Sequence, residues 1–277
     1  MGMTKDDLEN IEVDLLLDAI LKRYGYDFRN YSAASRKRRI KHFLSKTRYS
    51  RIAELIPQLL DDKAFFETFL INFSITVTEM FRDPFFHKAI RKKIIPFLKT
   101  YPFVKIWHAG CATGEEVYSM AITLKEEGLY DRCQIYATDF IDSALAKAEE
   151  GVYPIEPIKE YTNNYQQAGG TGSFSEYYHS KYDSVIINRD LKKNITFANH
   201  NLVIDTSFGE MNLIVCRNVL IYFDKILQDH VLKLFDNSLI SNGFLGLGTK
   251  ESIKFSTVSE NYKEVAVRER IYQKSAG

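Results

Sequence analysis

The sequence predicts an α/β protein: a mostly parallel sheet with helices on both faces, interrupted by a small β-subdomain and preceded by a small all-helical domain. Three observations predict this. From residue 104 onward the chain alternates strand, glycine loop, helix, strand, helix, the order that builds a parallel sheet. The region before residue 73 shows apolar residues at helical spacing and no alternating strand pattern. Residues 152–194 break the alternation over a stretch too long for a structureless loop, since loops beyond roughly 12–15 residues are uncommon.

The first helix opens at Thr4, which with Asp7 resembles a capping box. Asp6 and Glu9 add negative charge to the same turn. Leu8, Ile11, Leu15, Leu16 and Ala19 follow at helical spacing. A second helix comes after the turn Tyr24-Gly25-Tyr26-Asp27 and carries Arg36-Lys37-Arg38-Arg39-Ile40-Lys41-His42. A third is expected over about 52–70. The helical domain is placed at 1–72, with a linker and lead-in helix at 73–103. In that linker Thr78 and Arg82 share a face if the stretch is helical. Pro84 is expected to start a helix with Asp83 as its cap.

The second domain is placed at 104–277. Its first strand, Val104-Lys105-Ile106-Trp107-His108-Ala109, runs into the loop Gly110-Cys111-Ala112-Thr113-Gly114-Glu115-Glu116. The next helix should bury Val117, Tyr118, Met120, Ala121 and Leu124 and stop at Gly128. A strand at 134–139 follows, then a helix capped by Asp142 that stops at Gly151. The insert spans about 152–194, is partly β, and has Gly169-Gly170-Thr171-Gly172 as a flexible tip. Later strands fall at 195–198, 213–216 and 244–247. A helix over about 225–239 is capped by Asp224, and antiparallel strands at 262–267 and 270–274 end the chain.

Composition narrows the function. Hydrophobic residues make 45% and charged residues 26% of the 277, which excludes disorder, collagen and a disulfide mini-scaffold. Lys plus Arg number 37 against 36 Asp plus Glu, so bulk charge does not recruit nucleic acid. No apolar run reaches the roughly 20 residues of a membrane span, and the start, Met1-Gly2-Met3-Thr4-Lys5-Asp6-Asp7, is not a signal peptide. Cys111, Cys133 and Cys216 lie far apart without a C-x-x-C, as expected for reduced thiols in a cytoplasmic protein. No histidine or cysteine spacing suggests a metal. No G-x-S-x-G elbow suggests a hydrolase.

The chemistry concentrates at the glycine loop. Glycines let backbone approach a ligand, and the exposed N–H groups of the helix start attract electron-rich groups. Glu115 and Glu116 would repel a pyrophosphate, which argues against NAD, and would attract a cation such as a sulfonium. Asp139, ending the next strand, can accept hydrogen bonds from both ribose hydroxyls of an adenosine. It can equally cap the helix before Asp142. Together the loop and the acid favour S-adenosylmethionine. Arg217, Asn218 and Tyr222 follow the strand 213–216, at the carboxyl end where ligands of open α/β sheets bind. Cys111 reads as packing, with His108 close enough in sequence to leave reactivity open. Asp83-Pro84-Phe85-Phe86 lacks the second proline of the D-P-P-Y motif and precedes the loop, so the DNA methyltransferase reading is rejected. The basic run at 36–42 reads as a solvated face, or as a contact for an acidic partner helix or nucleic acid, of which net charge favours the helix.

Taken together, these stretches resemble the CheR family of chemotaxis protein-glutamate O-methyltransferases. They are Thr78-Glu79-Met80-Phe81-Arg82; Trp107 to Ser119 across the glycine loop; Ala137-Thr138-Asp139; His200-Asn201-Leu202; Cys216-Arg217-Asn218-Val219-Leu220-Ile221-Tyr222-Phe223; and Gly248-Thr249-Lys250-Glu251-Ser252. The resemblance covers nearly the whole chain. It implies a class I, Rossmann-like methyltransferase domain with S-adenosylmethionine as donor and S-adenosylhomocysteine as product. It implies glutamates on the cytoplasmic helices of bacterial chemoreceptors as acceptors, for sensory adaptation. By motif position it implies Gly110 and Glu116 in the cofactor loop, Asp139 on the ribose, and Asn201 and Leu202 beside the adenine. Thr78, Arg82, Arg217, Asn218 and Tyr222 are placed around the methionine part, with Arg82 and Tyr222 orienting the acceptor. Arg36, Arg38 and Arg39 are expected to recognise the receptor. The reading expects a cytoplasmic monomer, with no metal, no nucleic acid and no membrane insertion. The alternative is a non-catalytic module that binds S-adenosylmethionine and acts through protein contacts.

Overall fold

A computed structural model describes residues 4–74 and 78–276. The chain divides into two compact units, residues 1–76 with 222–230, and residues 77–221 with 231–277.

The first unit contains helices α1 (Lys5–Tyr24), α2 (Ala33–Leu44), α3 (Leu55–Asp61) and α4 (Lys63–Phe73). α1 starts with the expected box: Thr4 Oγ1 accepts from Asp7 N at 3.1 Å, and Asp7 accepts from Thr4 N at 2.9 Å. It ends at Gly25, whose φ of +80° suits a residue without a side chain. Its buried face is Val13, Leu16, Leu17 and Ile20, with Ile11 and Leu15 exposed. The expected stripe is therefore rotated. Glu12 lies on the buried face, receiving Arg51 Nε at 3.0 Å and Ala53 N at 3.3 Å, and apolar periodicity alone cannot see a satisfied buried acid. The helix expected over 52–70 is interrupted. A 3-10 turn leads into α3, and Asp62 then ends α3 and caps α4 by accepting from Phe65 N at 3.1 Å.

The second unit is built on a seven-stranded sheet. Its strands are β1 (Val104–Ala109), β2 (Cys133–Asp139), β6 (Ile195–Asn199), β7 (Met211–Cys216), β8 (Leu239–Leu247), β9 (Tyr262–Ala266) and β10 (Ile271–Lys274). The order is β6-β2-β1-β7-β8-β10-β9, parallel from β6 to β8, with β10 antiparallel to β8 and β9. The chain winds outward from β1 through β2 to β6, then returns to β7 on the other side of β1. That reversal makes the carboxyl ends of β1 and β7 the switch point where ligands bind. α7 (Glu115–Glu126) follows β1, α8 (Asp142–Glu150) follows β2, and α10 (Lys225–Ser238) precedes β8. Asp224 caps α10, accepting from Leu227 N at 2.9 Å.

Four local expectations are corrected. Thr78 to Arg82 is not helical: Phe81 and Asp83 have φ of +54° and +51°, so Thr78 and Arg82 share no helix face. Pro84 does start a helix, α5 (Pro84–Ala89), but the Asp83 side chain makes no cap bond. Asp142 is the first residue of α8, not its cap, and its carboxylate accepts from Asn199 Nδ2 at 2.6 Å. The glycine-rich tip of the insert is pinned. Thr171 N donates to Glu126 Oε1 at 3.1 Å and Gly172 N to the Tyr165 hydroxyl at 3.0 Å. A Cβ on Gly170 would lie 2.2 Å from the Tyr165 ring.

The insert itself combines the antiparallel sheet β3 (Val152–Pro154), β5 (Ser184–Ile187), β4 (Tyr178–Lys181) with a helix, α9 (Ile158–Gln167), that the sequence reading missed. α9 buries Tyr161 and Tyr165. Among the described residues no helix is long and apolar enough to cross a membrane, and no group of side chains could hold a metal ion.

Candidate active site

The β1–α7 loop folds over the end of β2. Gly110 N and Cys111 N donate to the Thr138 carbonyl at 2.8 and 2.9 Å, and the Trp107 indole donates to Thr138 Oγ1 at 2.8 Å. Gly110 has φ +76°, and a Cβ there would lie 2.6 Å from Val219 Cγ2. Both conformation and space therefore demand glycine where this loop meets the segment after β7.

Asp139 closes the other side. One carboxylate oxygen accepts from Ala112 N at 2.9 Å and the other from Ile141 N at 3.1 Å. The open alternatives for Asp139 thus combine: it braces the start of α8 and stands at the loop. Burial nevertheless holds its carboxyl above the usual range, against those amides. An ionised carboxylate has about four acceptor sites, so capacity remains for a donor such as a ribose hydroxyl. Beside it, His200 N donates to the Asp139 carbonyl at 3.1 Å, which sets Asn201 and Leu202 at the carboxyl end of β6. Asn201 is braced in a turn, its Oδ1 accepting from Val203 N at 3.0 Å, and Leu202 is buried.

Arg217 follows the last residue of β7, and its side chain is 1% exposed. It donates to Glu116, to Asp83 and, at 3.3 Å, to the Arg82 carbonyl, and its guanidinium lies 4.3 Å from the centre of the Phe86 ring. The structure therefore brings together Arg217, Glu116 and the backbone of Arg82, three of the residues that the resemblance names separately. Asp83 is added, because the Asp-Pro pair had been read only as a helix start. Burial raises the Glu116 carboxyl, but the Arg217 guanidinium beside it opposes this and the carboxyl is held low.

Two other buried groups lie in this region, one of them the His108 that the sequence sets near Cys111. His87 sits between Phe81 and Phe86, with ring centroids 5.1 and 5.5 Å away. His108 points from β1. Both ring nitrogens of His87, and Nε2 of His108, lack partners among the described residues. Burial pushes His87 down to about 3 and His108 to about 4, so both are neutral at pH 7.

The electrostatic argument from two free acids needs correction. Glu116 is committed to Arg217, and Glu115 accepts from Thr113 Oγ1 at 2.6 Å with its carboxyl pushed up to about 7 by burial. The attraction for a cation survives in another form, because Glu116 and Asp83 together bring two carboxyl groups to one guanidinium. Cys111 is buried, burial raises its thiol well above the ordinary value, and its sulfur lies 3.8 Å from the Ala112 carbonyl, which fits the packing reading rather than a nucleophile.

Arg82 differs from Arg217. It is half-buried, and its guanidinium makes no hydrogen bond or ion pair among the described residues. Thr78 is half-buried too and joins none of these bonds. Asn218 has φ +61°, and its N–H donates to Glu251 Oε2 at 3.0 Å. Glu251 also accepts from Gly248 N at 2.6 Å and Ile221 N at 3.3 Å. This buried acid clamps the loops after β7 and β8; it lay inside a recognised motif but had been given no role.

Tyr222 and the basic helix belong to the first unit. The Arg39 guanidinium lies 4.0 Å from the centre of the Tyr222 ring and donates to the Phe73 carbonyl at 2.5 Å. Arg39 is buried, so it presents no surface charge to a partner. Arg36 pairs with Asp14 at 3.2 Å, Lys37 with Asp6 at 2.6 Å and Lys41 with Glu9 at 3.1 Å. Of the three arginines expected to recognise a receptor, Arg38 alone is exposed. A one-dimensional basic run does not reveal which members face α1 or the core.

The residues present fit an adenosine that carries a cationic sulfur: an acid with spare acceptor capacity beside a glycine loop, and a surplus of carboxyl groups. Comparison with known proteins agrees. The family profile described as CheR methyltransferase, SAM binding domain, matches residues 76–270, and CheR methyltransferase, all-alpha domain, matches residues 11–73. The chain is 47% identical to a Pseudomonas putida protein named "Putative methyltransferase Cher3", over 99% of this chain and all of that one. It is 30% identical to a chemotaxis protein methyltransferase of Listeria innocua, over 89% of this chain and 92% of that one. Among solved structures, the N-methyltransferase NodS of Bradyrhizobium japonicum, in complex with S-adenosylhomocysteine, is 14% identical with a TM-score of 0.40, over 80% of this chain and 94% of that one. With an all-helical domain and a cofactor domain both matched in order, the chain belongs to the CheR family of S-adenosylmethionine-dependent methyltransferases.

Proposed function

We propose that the protein transfers the methyl group of S-adenosylmethionine to glutamate carboxylates on the cytoplasmic helices of chemoreceptors, leaving a glutamate methyl ester and S-adenosylhomocysteine. The observation that carries the acceptor assignment is the contrast between two neighbouring arginines. Arg217 is locked by two carboxyl groups, whereas Arg82 keeps its guanidinium unpaired and half-buried. An unpaired guanidinium is a ready partner for an incoming carboxylate. The chemotaxis names of the relatives support the same reading.

S-adenosylmethionine supplies an electrophilic methyl carbon. Asp139 would hold its ribose, the Gly110 loop its sulfur-bearing chain, and Asn201 and Leu202 its adenine. Thr78, Glu116 and Asn218 would surround the methionine part. A glutamate acceptor has an ordinary pKa of about 4.3, so it arrives ionised and needs no general base. What remains is alignment and dehydration. Arg82 receives the acceptor carboxylate and replaces part of its water. By motif position Tyr222 is the second candidate for the orienting role. Arg217 fixes the backbone of Arg82 through its carbonyl and thereby the site's geometry. Arg38, exposed on α2, is the recognition residue best able to meet an acidic receptor helix, with Arg36 and Arg39 supporting that helix. In this reading the protein works as a cytoplasmic monomer, without metal.

The test uses methyl-labelled S-adenosylmethionine and membranes bearing chemoreceptors of the same genome. Label on a receptor-sized band that base releases as methanol supports the proposal, because carboxylate methyl esters hydrolyse readily. Base-stable label moves the acceptor to an amine. Cofactor binding without any transfer favours a sensor that works by protein contacts.

A further inference from the structure

The turn after β8 presents a side chain that the site above does not use. Phe255 is 102% exposed and has φ +70°. It is the third residue of a turn closed by Ser256 N donating to the Ile253 carbonyl at 3.1 Å and tightened by Ser256 Oγ on the same carbonyl at 2.7 Å. Positive φ at the third position of a turn is ordinarily left to glycine. A phenyl group there strains the backbone and gains no burial in return. Such outliers concentrate at functional sites.

The turn is firmly built. Ile253 and Val258 on either side of it are buried, and Lys254 N donates to Ser252 Oγ at 3.0 Å. Its root is Glu251, whose carboxylate also holds the amides of Asn218 and Ile221. The turn is thus fastened to the loop that carries Arg217, at the carboxyl end of the sheet. Its charge is basic: Lys250 is exposed, and Lys254 is mostly exposed, touching Glu264 only at 3.8 Å. The β9–β10 turn adds exposed Val267 and Arg268 at the same end of the sheet.

We propose that residues 252–258 form a docking finger for the acceptor. Phe255 packs on an apolar residue of an acidic, glutamate-bearing helix, while Lys250 and Lys254 meet its carboxylates. Aromatic anchors in charged surrounds carry much of the energy of protein contacts, and complementary charge guides their approach. The inference rests on the acceptor being such a helix, as proposed above.

The experiment measures calorimetric affinity of the full-length protein for a soluble cytoplasmic chemoreceptor fragment, with S-adenosylhomocysteine present. Phe255→Gly removes the ring and relaxes the turn. It should weaken fragment binding about tenfold or more, leave S-adenosylhomocysteine affinity within about twofold, and leave Tm unchanged or higher. Phe255→Leu should recover most of the binding. Fragment affinity unchanged in Phe255→Gly would overturn the proposal, as would a Tm lowered by several degrees or a wild type that binds no fragment. Base-labile methyl counted on the same fragment judges the acceptor reading separately. Ring-dependent binding with no ester formed would keep the finger and discard the acceptor.

Discussion

α7 carries a largely buried carboxylate paired with an arginine at each end, and the two ends are finished differently. At its carboxyl end Glu126 receives Arg91, the Tyr165 hydroxyl, the Tyr177 hydroxyl at 3.0 Å and Thr171 N at 3.1 Å. Every one of those donors is fixed to the helical lead-in or to the insert, so one acid ties both segments to α7. At its amino end Glu116 and Asp83 share Arg217. Around them, among the described residues, both ring nitrogens of His87 and Nε2 of His108 lack a partner and the Arg82 guanidinium is unpaired. A carboxylate crowded with donors from the same chain is a brace. A cluster that leaves donors over has room for something the chain does not supply.

The comparison can be broken by substitution, and the largest effect on folding is expected where a buried charge is stranded. Arg217→Leu leaves Glu116 without its counter-charge and should cost about 3–5 kcal/mol in urea unfolding, along with loss of turnover. Stability near wild type would mean that the pair does not hold the site together. Next, Glu126→Gln weakens a brace and should cost about 1–3 kcal/mol. Amide hydrogen exchange should speed up at Thr171 and Gly172, while turnover per folded molecule stays within about twofold. Turnover lost as completely as at the amino end would erase the distinction between the ends.

A smaller effect isolates Glu115. Its carboxyl is raised from 4.5 to about 7 by burial, so the folded protein holds a proton that the unfolded chain releases. Stability is therefore favoured below pH 4.5 and declines as the pH rises toward 7. Glu115→Gln should remove that decline and make the protein more stable than wild type at pH 8, by about 1–2 kcal/mol after discounting for relaxation. Parallel stability curves for the two proteins would show that Glu115 does not titrate in this window.

Much of the amino end of α7 was legible in the sequence because its residues are close to strand ends, and strand ends in a parallel sheet are predictable. Gly110, Glu116, Asp139 and Arg217 could be placed from β1, β2 and β7 alone. Asp83 could not, because its role depends on positive φ at Phe81 and Asp83 turning the segment toward Arg217. A dipeptide that also reads as a helix start hides that. Glu251 was hidden for another reason: its work is done through backbone amides of Gly248, Asn218 and Ile221, which carry no sequence signature. The carboxyl end was least legible. Gly169 to Gly172 looks mobile in composition, yet Glu126, distant in sequence, and the Tyr165 hydroxyl hold it. In the helical unit, a basic run predicts charge but not which arginine is buried, as Arg39 shows.

The most direct measurement takes Arg82→Ala and determines its melting temperature and its turnover on the receptor together. Because the guanidinium has no partner to lose among the described residues, the melting temperature should stay within about 1–2 °C of wild type. Because the acceptor carboxylate loses its partner, kcat should fall by about a hundredfold or more. Turnover within threefold of wild type would contradict the account, and so would a melting temperature lowered as far as in Glu126→Gln. Either result would make Arg82 a structural residue and return the acceptor site to be found elsewhere.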